Sequence, residues 1–504
     1  IIGFWGVYFT RHLEGGGEKV TAFPTLEWEA RKEKSMYRPV RGDDHDVKED
    51  AGIHGNEDRC FLRIHDGGGS GGDVEFASHK SLFASAGNAN HIPMARAPTH
   101  CIPKAGFTAR AGRLVSLDVF RGLTVALMIL VDDAGGILPY INHSPWDGIT
   151  IADFVMPFFL FIVGVSLALT YKKLPCRSAA TRKTIFRVLK LLLLGVFLQG
   201  GYFHGLNDLT FGVDIERIRW MGILQRIAIA YLITAVCEIW LKDDEINVNS
   251  GLSLLRKYQF QWAVLFVLIA IYISLLYGLY VPDWEYQILP DASSSASKLV
   301  KCGVRGDTGP ACNVVGMIDR KVLGIRHLYS RPIYARTKQC SINSPDNGPL
   351  PPDAPSWCQA PFEPEGLLSS VMAVVSCLVG LHFGHIIVHY ENHKARVLQW
   401  IIPSTCLVSS GLGLDLIGMH VNKVLYTLSY MCLTAGAAGI LFAGIYVMVD
   451  VYGYRRPTIM MEWMGMHALT IFVLAACNVL PIILQGFYWR HPHNNLLGLI
   501  GIGL

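Results

Sequence analysis

Between Asp132 and Asp153 the sequence sets four acids, Asp132, Asp133, Asp147 and Asp153, around His143 and Trp146, with no lysine or arginine among them. A neutral imidazole near carboxylates can act as general base, or as a nucleophile that accepts an acyl group, while its neighbours orient the ring and stabilise the imidazolium. A loop histidine is more often structural or solvated, so composition leaves both readings open. Asp118 and Arg121 stand three apart on one helical face and read either as a mutually neutralised pair near an interface or as part of a polar pathway, because charge inside a span is costly. Gln225 and Arg226, in MGILQRIAIAYLI, and His467 could line the same cavity or pair with backbone carbonyls.

His382, His385, His389 and His393 recur at three- and four-residue spacing, which places them on one helix face where they could ligate a metal. Beyond Glu391 no cysteine or acid is set to close such a shell, so no metal is expected. The sequon Asn142-His143-Ser144 precedes Pro145, and modification there would crowd His143, so it reads as fortuitous. No Walker A loop, dinucleotide fingerprint or HExxH helix occurs.

The elements that must position these residues are membrane spans. The 504 residues are 51% hydrophobic and only 17% charged, with mean hydropathy +0.33, whereas about a quarter of an ordinary soluble chain is charged. A net charge of +4 and the lack of a basic run interleaved with aromatics exclude a nucleic-acid partner. Apolar runs of spanning length recur at 117–138, 152–171, 185–203, 218–241, 259–281, 366–388, 397–418, 424–449 and 459–482. A tenth begins near Asn494 and is cut to about half the hydrocarbon thickness at 1.5 Å per residue. With Ile1 at the start and Leu504 inside an apolar run, the chain reads as a piece of a longer protein. The expected fold is an all-α polytopic transmembrane bundle of about ten spans, the last truncated.

Residues 1–109, with charge clusters from Arg41 to Asp50 and a glycine tract from Gly67 to Gly72, read as a disordered segment before a membrane domain at 110–504. The opening IIGFWGVYFT is too short to span and is not followed by a cleavage site, so no signal peptide is expected. Lys172, Lys173, Arg177, Arg182, Lys183, Arg187 and Lys190 occur without an acid and mark a cytoplasmic loop. Alternation places the basic residues near 110, 242–257, 394–396 and 455–456 on that side, and the 133–151, 204–217 and 282–365 connections opposite. Four of twelve cysteines, Cys302, Cys312, Cys340 and Cys358, sit in the 282–365 loop, where an oxidising compartment favours two disulfides. Three connectivities are open, and proximity suggests Cys302 with Cys312 and Cys340 with Cys358. Cys237, Cys377, Cys406, Cys432 and Cys477 fall in spans and read as packing residues.

The stretches RLVSLDVFRGLTVALMILVDDAGG, NHSPWDGITIADFVMPFFLFIVGVSLAL, RWMGILQRIAIAYL, GPACNVVGMIDRKVLGIRHLY and APFEPEGLLSSV occur in that order over about residues 110–493. Together they resemble the heparan-alpha-glucosaminide N-acetyltransferase family, and its plant homologues in particular. The resemblance implies a multi-pass lysosomal or vacuolar acyltransferase that takes acetyl from cytosolic acetyl-CoA and delivers it to a glucosamine-type amine on the luminal side. It implies dimers through the spans, and it assigns the essential histidine to His143. On this reading Asp132 or Asp133 orients His143 or binds the amine, although the family has Asn at the position of Asp132. Asp118, Arg121, Trp146, Asp147, Asp153 and Arg226 line the passage. The basic cytoplasmic face suits the acetyl-CoA phosphates. The rival readings are a proton-coupled transporter of a sugar or amine, which intramembrane Asp, Arg and His would serve equally, and a non-catalytic scaffold.

Overall fold

Helices form in each of the nine apolar runs, in a computed structural model that describes residues 114–134, 141–172, 176–199, 218–242, 251–287, 297–329 and 333–477. The 1–109 segment, the 204–217 connection and the tenth span lie outside these residues, as does the Asp133 side chain. In chain order the helices are α1 (Val115–Ala134), α2 (Val155–Thr170), α3 (Arg177–Gln199), α4 (Ile223–Trp240), α5 (Gly251–Lys257) and α6 (Gln259–Gly278). They continue as α7 (Val314–Leu323), α8 (Leu367–His389), α9 (His393–Leu416), α10 (Leu428–Tyr446), α11 (Ile459–Met466) and α12 (Ala468–Ala476). A 3₁₀ turn, Ile151–Phe154, runs straight into α2.

Among the described residues six helices are long and apolar enough to cross a membrane: Ile151–Thr170, Ile223–Trp240, Gln259–Gly278, Leu367–His389, His393–Leu416 and Leu428–Val451. A seventh is reached if the pair Arg456–Met466 and Ala468–Ala476, bent by 66°, is one span. The difference from about ten has a plain cause. Helix α1 carries Asp118, Arg121, Asp132 and Asp133, and α3 carries Arg177, Arg182, Lys183, Arg187 and Lys190, a load of charge that a spanning segment does not ordinarily tolerate.

Helix α8 is the axis of the bundle, with 89% of its spanning window buried against 17% for α9 at the periphery. Small residues allow this. A Cβ added at Gly164 of α2 would lie 2.0 Å from the Cys377 carbonyl oxygen of α8, and one at Gly380 would lie 2.2 Å from that of Phe161, so the two backbones touch directly. Gly122 of α1 and Gly465 of α11 make a second backbone contact of this kind. Around them Phe120, Phe158, Phe161, Phe383 and Phe442 meet edge-on or tilted, with Phe120 and Phe442 stacked.

The chain between α6 and α8 is not purely helical. Strands β1 (Trp284–Gln287) and β2 (Ser297–Val300) pair antiparallel, with Trp284 opposite Val300. Disulfides join Cys302 to Cys312 and Cys340 to Cys358, the pairing that proximity suggested. Asn313 caps α7 by accepting from the Gly316 amide at 2.7 Å. Buried Asp319 on α7 accepts from the Leu367 amide at 2.8 Å and so caps α8, tying this segment to the central helix.

Gly380→Ala should therefore lower the thermal unfolding midpoint of the detergent-solubilised protein, at a cost of about 1–3 kcal/mol or more from overpacking. Gly413→Ala, on α9 with nothing within 4 Å of the added carbon, should leave the midpoint unchanged or raise it. Equal midpoints for both variants would show that the α2–α8 backbone contact does not limit stability.

Candidate active site

The loop before α2 is folded around one carboxylate. Thr150 and Asp153 form a capping box at the start of the 3₁₀ turn, and Asp153 Oδ2 accepts from the Thr150 amide at 3.0 Å, the Thr150 hydroxyl at 2.9 Å and the Ser144 amide at 3.3 Å. Its other oxygen, Oδ1, lies 2.8 Å from His143 Nδ1. The Asp153 backbone carbonyl accepts from the Tyr430 hydroxyl of α10 at 2.5 Å. The carboxylate is fully buried while the imidazole keeps 32% of its surface. A ring held at Nδ1 by a buried acid has its Nε2 left as the basic, outward nitrogen.

A second loop, between α9 and α10, closes against the first. Asp147 and Asn422 form an isolated antiparallel bridge, with the Gly148 amide donating to the Val421 carbonyl at 2.8 Å and Asn422 Nδ2 to Asp147 Oδ1 at 3.2 Å. Gly148 adopts φ +102°, which a side chain would strain, so this glycine is what lets the loop turn into the bridge. The pairing delivers Lys423, whose Nζ stands 2.8 Å from His143 Nδ1, 3.3 Å from Nε2 and 3.5 Å from Asp153 Oδ1. Tyr426, three residues on, holds φ 55° and shares a 2.9 Å hydrogen bond with Ser376 of α8, so the turn is fixed from the bundle axis.

The segment between α6 and α8 supplies the third wall. Arg336 Nη2 donates to the His143 carbonyl at 2.5 Å. Trp146 is buried edge-on against Tyr334 and Phe362, with its Nε1 donating to the Thr308 carbonyl at 3.1 Å. A cavity of about 470 Å³ opens over His143, lined also by Thr150, Phe154, Arg336, Pro345 and Asp346.

Electrostatics favour the neutral imidazole. Burial pushes the His143 pKa below the ordinary 6.5, the Lys423 charge pushes the same way, and the bond to Asp153 opposes both. Burial also lowers the Lys423 ammonium, against the pull of Asp153 and Glu365. Glu365 is one of two acids held by Arg219, which makes a bidentate pair with Glu363 at 2.9 and 2.5 Å and also bonds Glu365.

The residues singled out from the sequence separate into groups. His143 and Asp153 meet at 2.8 Å; of the two acids expected to orient the ring or bind the amine, Asp132 is described, and the Asp133 side chain lies outside the described residues. Asp132 is exposed at the far end of α1 and is not among the groups bonded to His143. Asp118 and Arg121 pair at 3.0 Å, and Arg121 also donates to Ser166 late in α2, the end away from His143. Arg226 is buried in α4, donating to the Pro364 carbonyl at 2.8 Å and to Ser369.

The four spaced histidines do not converge. His385 bonds Glu238 at 2.8 Å, His382 stacks on Trp262, His389 meets the Tyr258 hydroxyl and His393 that of Tyr446. Among the described residues no group of three or more His, Cys, Asp or Glu side chains could hold a metal ion.

Lys423, Arg336 and Asp346 were not found from the sequence. One signal for Lys423 was present, since it is a lone lysine in a short connection that alternation places opposite the basic loops.

Residues 113–279 match the family model described as heparan-alpha-glucosaminide N-acetyltransferase, catalytic, a range that contains His143, Asp153 and Arg226. The mouse protein named heparan-alpha-glucosaminide N-acetyltransferase is 27% identical over 384 residues, 72% of this chain and 53% of the mouse protein. The human protein of that name is 28% identical over 382 residues, 72% of this chain and 52% of its own length. The chain thus spans about half the length of the curated relatives it matches.

With its pKa lowered, His143 stays neutral at a pH where an ordinary histidine has begun to protonate. Its acylation by diethyl pyrocarbonate, followed by mass spectrometry across pH, should reach half-maximal rate below pH 6.5. Lys423→Met removes a charge that lowers the pKa, so its profile should move to higher pH; a shift downward would contradict the assigned electrostatics.

Proposed function

We propose that this chain, similar over most of its membrane domain to the heparan-alpha-glucosaminide N-acetyltransferases, is a multi-pass N-acetyltransferase of a lysosomal, vacuolar or other endomembrane. It moves acetyl from acetyl-CoA on the cytoplasmic side to the amine of a glucosamine-type sugar on the luminal side. The observation that carries this reading is a solvent-reachable imidazole at the edge of a cavity, with Nδ1 set against a fully buried carboxylate.

The topology has geometric support. The 141–150 loop, the segment between α6 and α8 and the α9–α10 connection meet at His143, and alternation gives all three to one side. Exposed Arg177, Arg182, Lys183, Arg187 and Lys190 of α3 follow the opposite end of α2, whose sixteen residues rise about 24 Å. In this reading the charged helices α1 and α3 also cross the bilayer, flanking a polar passage.

Acetyl-CoA supplies the activated acetyl thioester, and the cations of α3 would hold its phosphates. At the luminal end, Asp153 keeps the proton of the imidazole on Nδ1 and leaves Nε2 as the basic nitrogen, with the Lys423 ammonium 3.3 Å away. Nε2 accepts one proton from the amine nitrogen as the C–N bond forms and the C–S bond breaks, then gives that proton to the departing thiolate. The Lys423 ammonium stands beside the ring and offers positive charge to the carbonyl oxygen as it becomes negative. Arg336 fixes the loop through the His143 carbonyl, so the ring does not swing out of the cavity wall.

The test is label transfer from acetyl-CoA to glucosamine in membranes containing the full chain. His143→Ala should abolish transfer, and Asp153→Asn should lower kcat by about 10²–10⁴-fold, since the ring then loses its orienting acceptor. Transfer by His143→Ala at the wild-type rate would overturn the reading, as would proton-driven sugar uptake by a wild type that transfers no acetyl.

A further inference from the structure

The cavity over His143 is more selective in its charges than the sequence around it. Of the four acids around His143 in the chain, Asp132, Asp147 and Asp153 are not on the cavity wall, and the Asp133 side chain lies outside the described residues. Asp153 is fully buried beneath the ring with both oxygens engaged. Asp147 is turned to Asn422 in the bridge. Asp132 lies at the end of α1 and does not reach the wall. Among the described residues the carboxylate that lines the cavity is Asp346, and the cation on the wall is Arg336.

Asp346 is built in place rather than carried on a loose tip. It lies between Cys340 and Cys358, which are joined to each other. Its amide donates to the Asn343 carbonyl at 2.9 Å and its carbonyl accepts from the Ser341 hydroxyl at 2.7 Å, so both backbone groups are tied while the side chain makes no hydrogen bond among the described residues. Asp346 and Arg336 line the same cavity with His143, and Arg336 holds the His143 carbonyl, which places the carboxylate and the imidazole on one wall.

We infer that Asp346 is the acceptor anchor: its carboxylate takes the ammonium of an incoming primary amine and selects amines that are cationic in solution over neutral ones. The inference rests on the acetyltransferase reading and deepens it. A half-buried carboxylate facing a cavity of this size attracts a small organic cation, and a neutral imidazole beside it does not repel one. The Arg336 charge on the same wall disfavours the amine there and so orients it toward Asp346. The ammonium gives one proton to solvent through the open cavity before it can attack; of the two N–H groups left, one proton passes to Nε2 as the C–N bond forms while the other N–H still donates to the carboxylate, so the anchor holds the nitrogen up to attack.

Two acceptors separate this role from a structural one. Glucosamine is cationic at neutral pH, whereas an arylamine of similar size is uncharged. In steady-state transfer assays on full-length protein in membranes, Asp346→Asn should raise KM for glucosamine about tenfold, the scale of one hydrogen bond to a charged group, with kcat within about twofold. It should leave KM for the arylamine unchanged, and Asp346→Glu should recover part of the loss for glucosamine. Asp353→Asn, an exposed acid on the same disulfide-closed segment, should change neither KM. An unchanged glucosamine KM in Asp346→Asn, or equal changes for both amines, would overturn the anchor while leaving the acetyltransferase reading intact. Absence of transfer to either amine by wild type would instead overturn the reading beneath it.

Discussion

Asp153 is a carboxylate with no solvent exposure at the first turn of a membrane-length helix, and the outer end of the molecule is arranged to satisfy its two oxygens. An unpaired charge there would be expensive, so the groups that meet it are fixed as firmly as the acid itself. Two backbone amides and a hydroxyl settle Oδ2, while His143 and Lys423 share the side of Oδ1. The capping box draws the 141–150 loop into a tight turn, the bridge from Asp147 to Asn422 brings in the α9–α10 loop, and Tyr430 ties both to α10. The imidazole is thus positioned as a consequence of neutralising the acid.

That arrangement needs a bundle that does not shift beneath it. The glycines between α2 and α8 place two backbones in direct contact, where side chains could not slide past each other, and α8 carries Ser376, which holds Tyr426 close to Lys423. At its other face α8 begins on the Asp319 cap and beside the Arg219 pair with Glu363, so the disulfide-closed segment and the bundle axis are one mechanical unit at this end. Rigidity and electrostatics are coupled here: the charges require fixed partners, and the small residues supply the fixed frame.

Much of this was legible in the chain. Helical segments in the nine apolar runs, the charge-poor composition and four cysteines placed for two disulfides follow from residue types and spacing, because hydrophobic length and oxidising context are local properties, whereas the weight on His143 in the NHSPWDG turn came from the family resemblance. The count of spans was less secure, since α1 and α3 are long and apolar by turns yet carry too much charge for length to decide. Of the four acids near His143, the reading by resemblance looked to Asp132 or Asp133 on the preceding helix, whereas Asp153 meets the ring, folded back over ten residues by the 3₁₀ turn.

What the sequence by itself determined is therefore the apolar helices and the loop that holds the paired cysteines, with His143 marked as a candidate by the family resemblance. Only the tertiary structure decided the histidine's company: Lys423 from 280 positions away, Arg336 from 193, and a cavity wall with Asp346 as its carboxylate. The physical reason is range. Burial of apolar length and capping of a turn are settled within a few residues, but pairing of buried charge is settled by whichever distant loop the packed bundle brings within about 3 Å, the reach of a hydrogen bond.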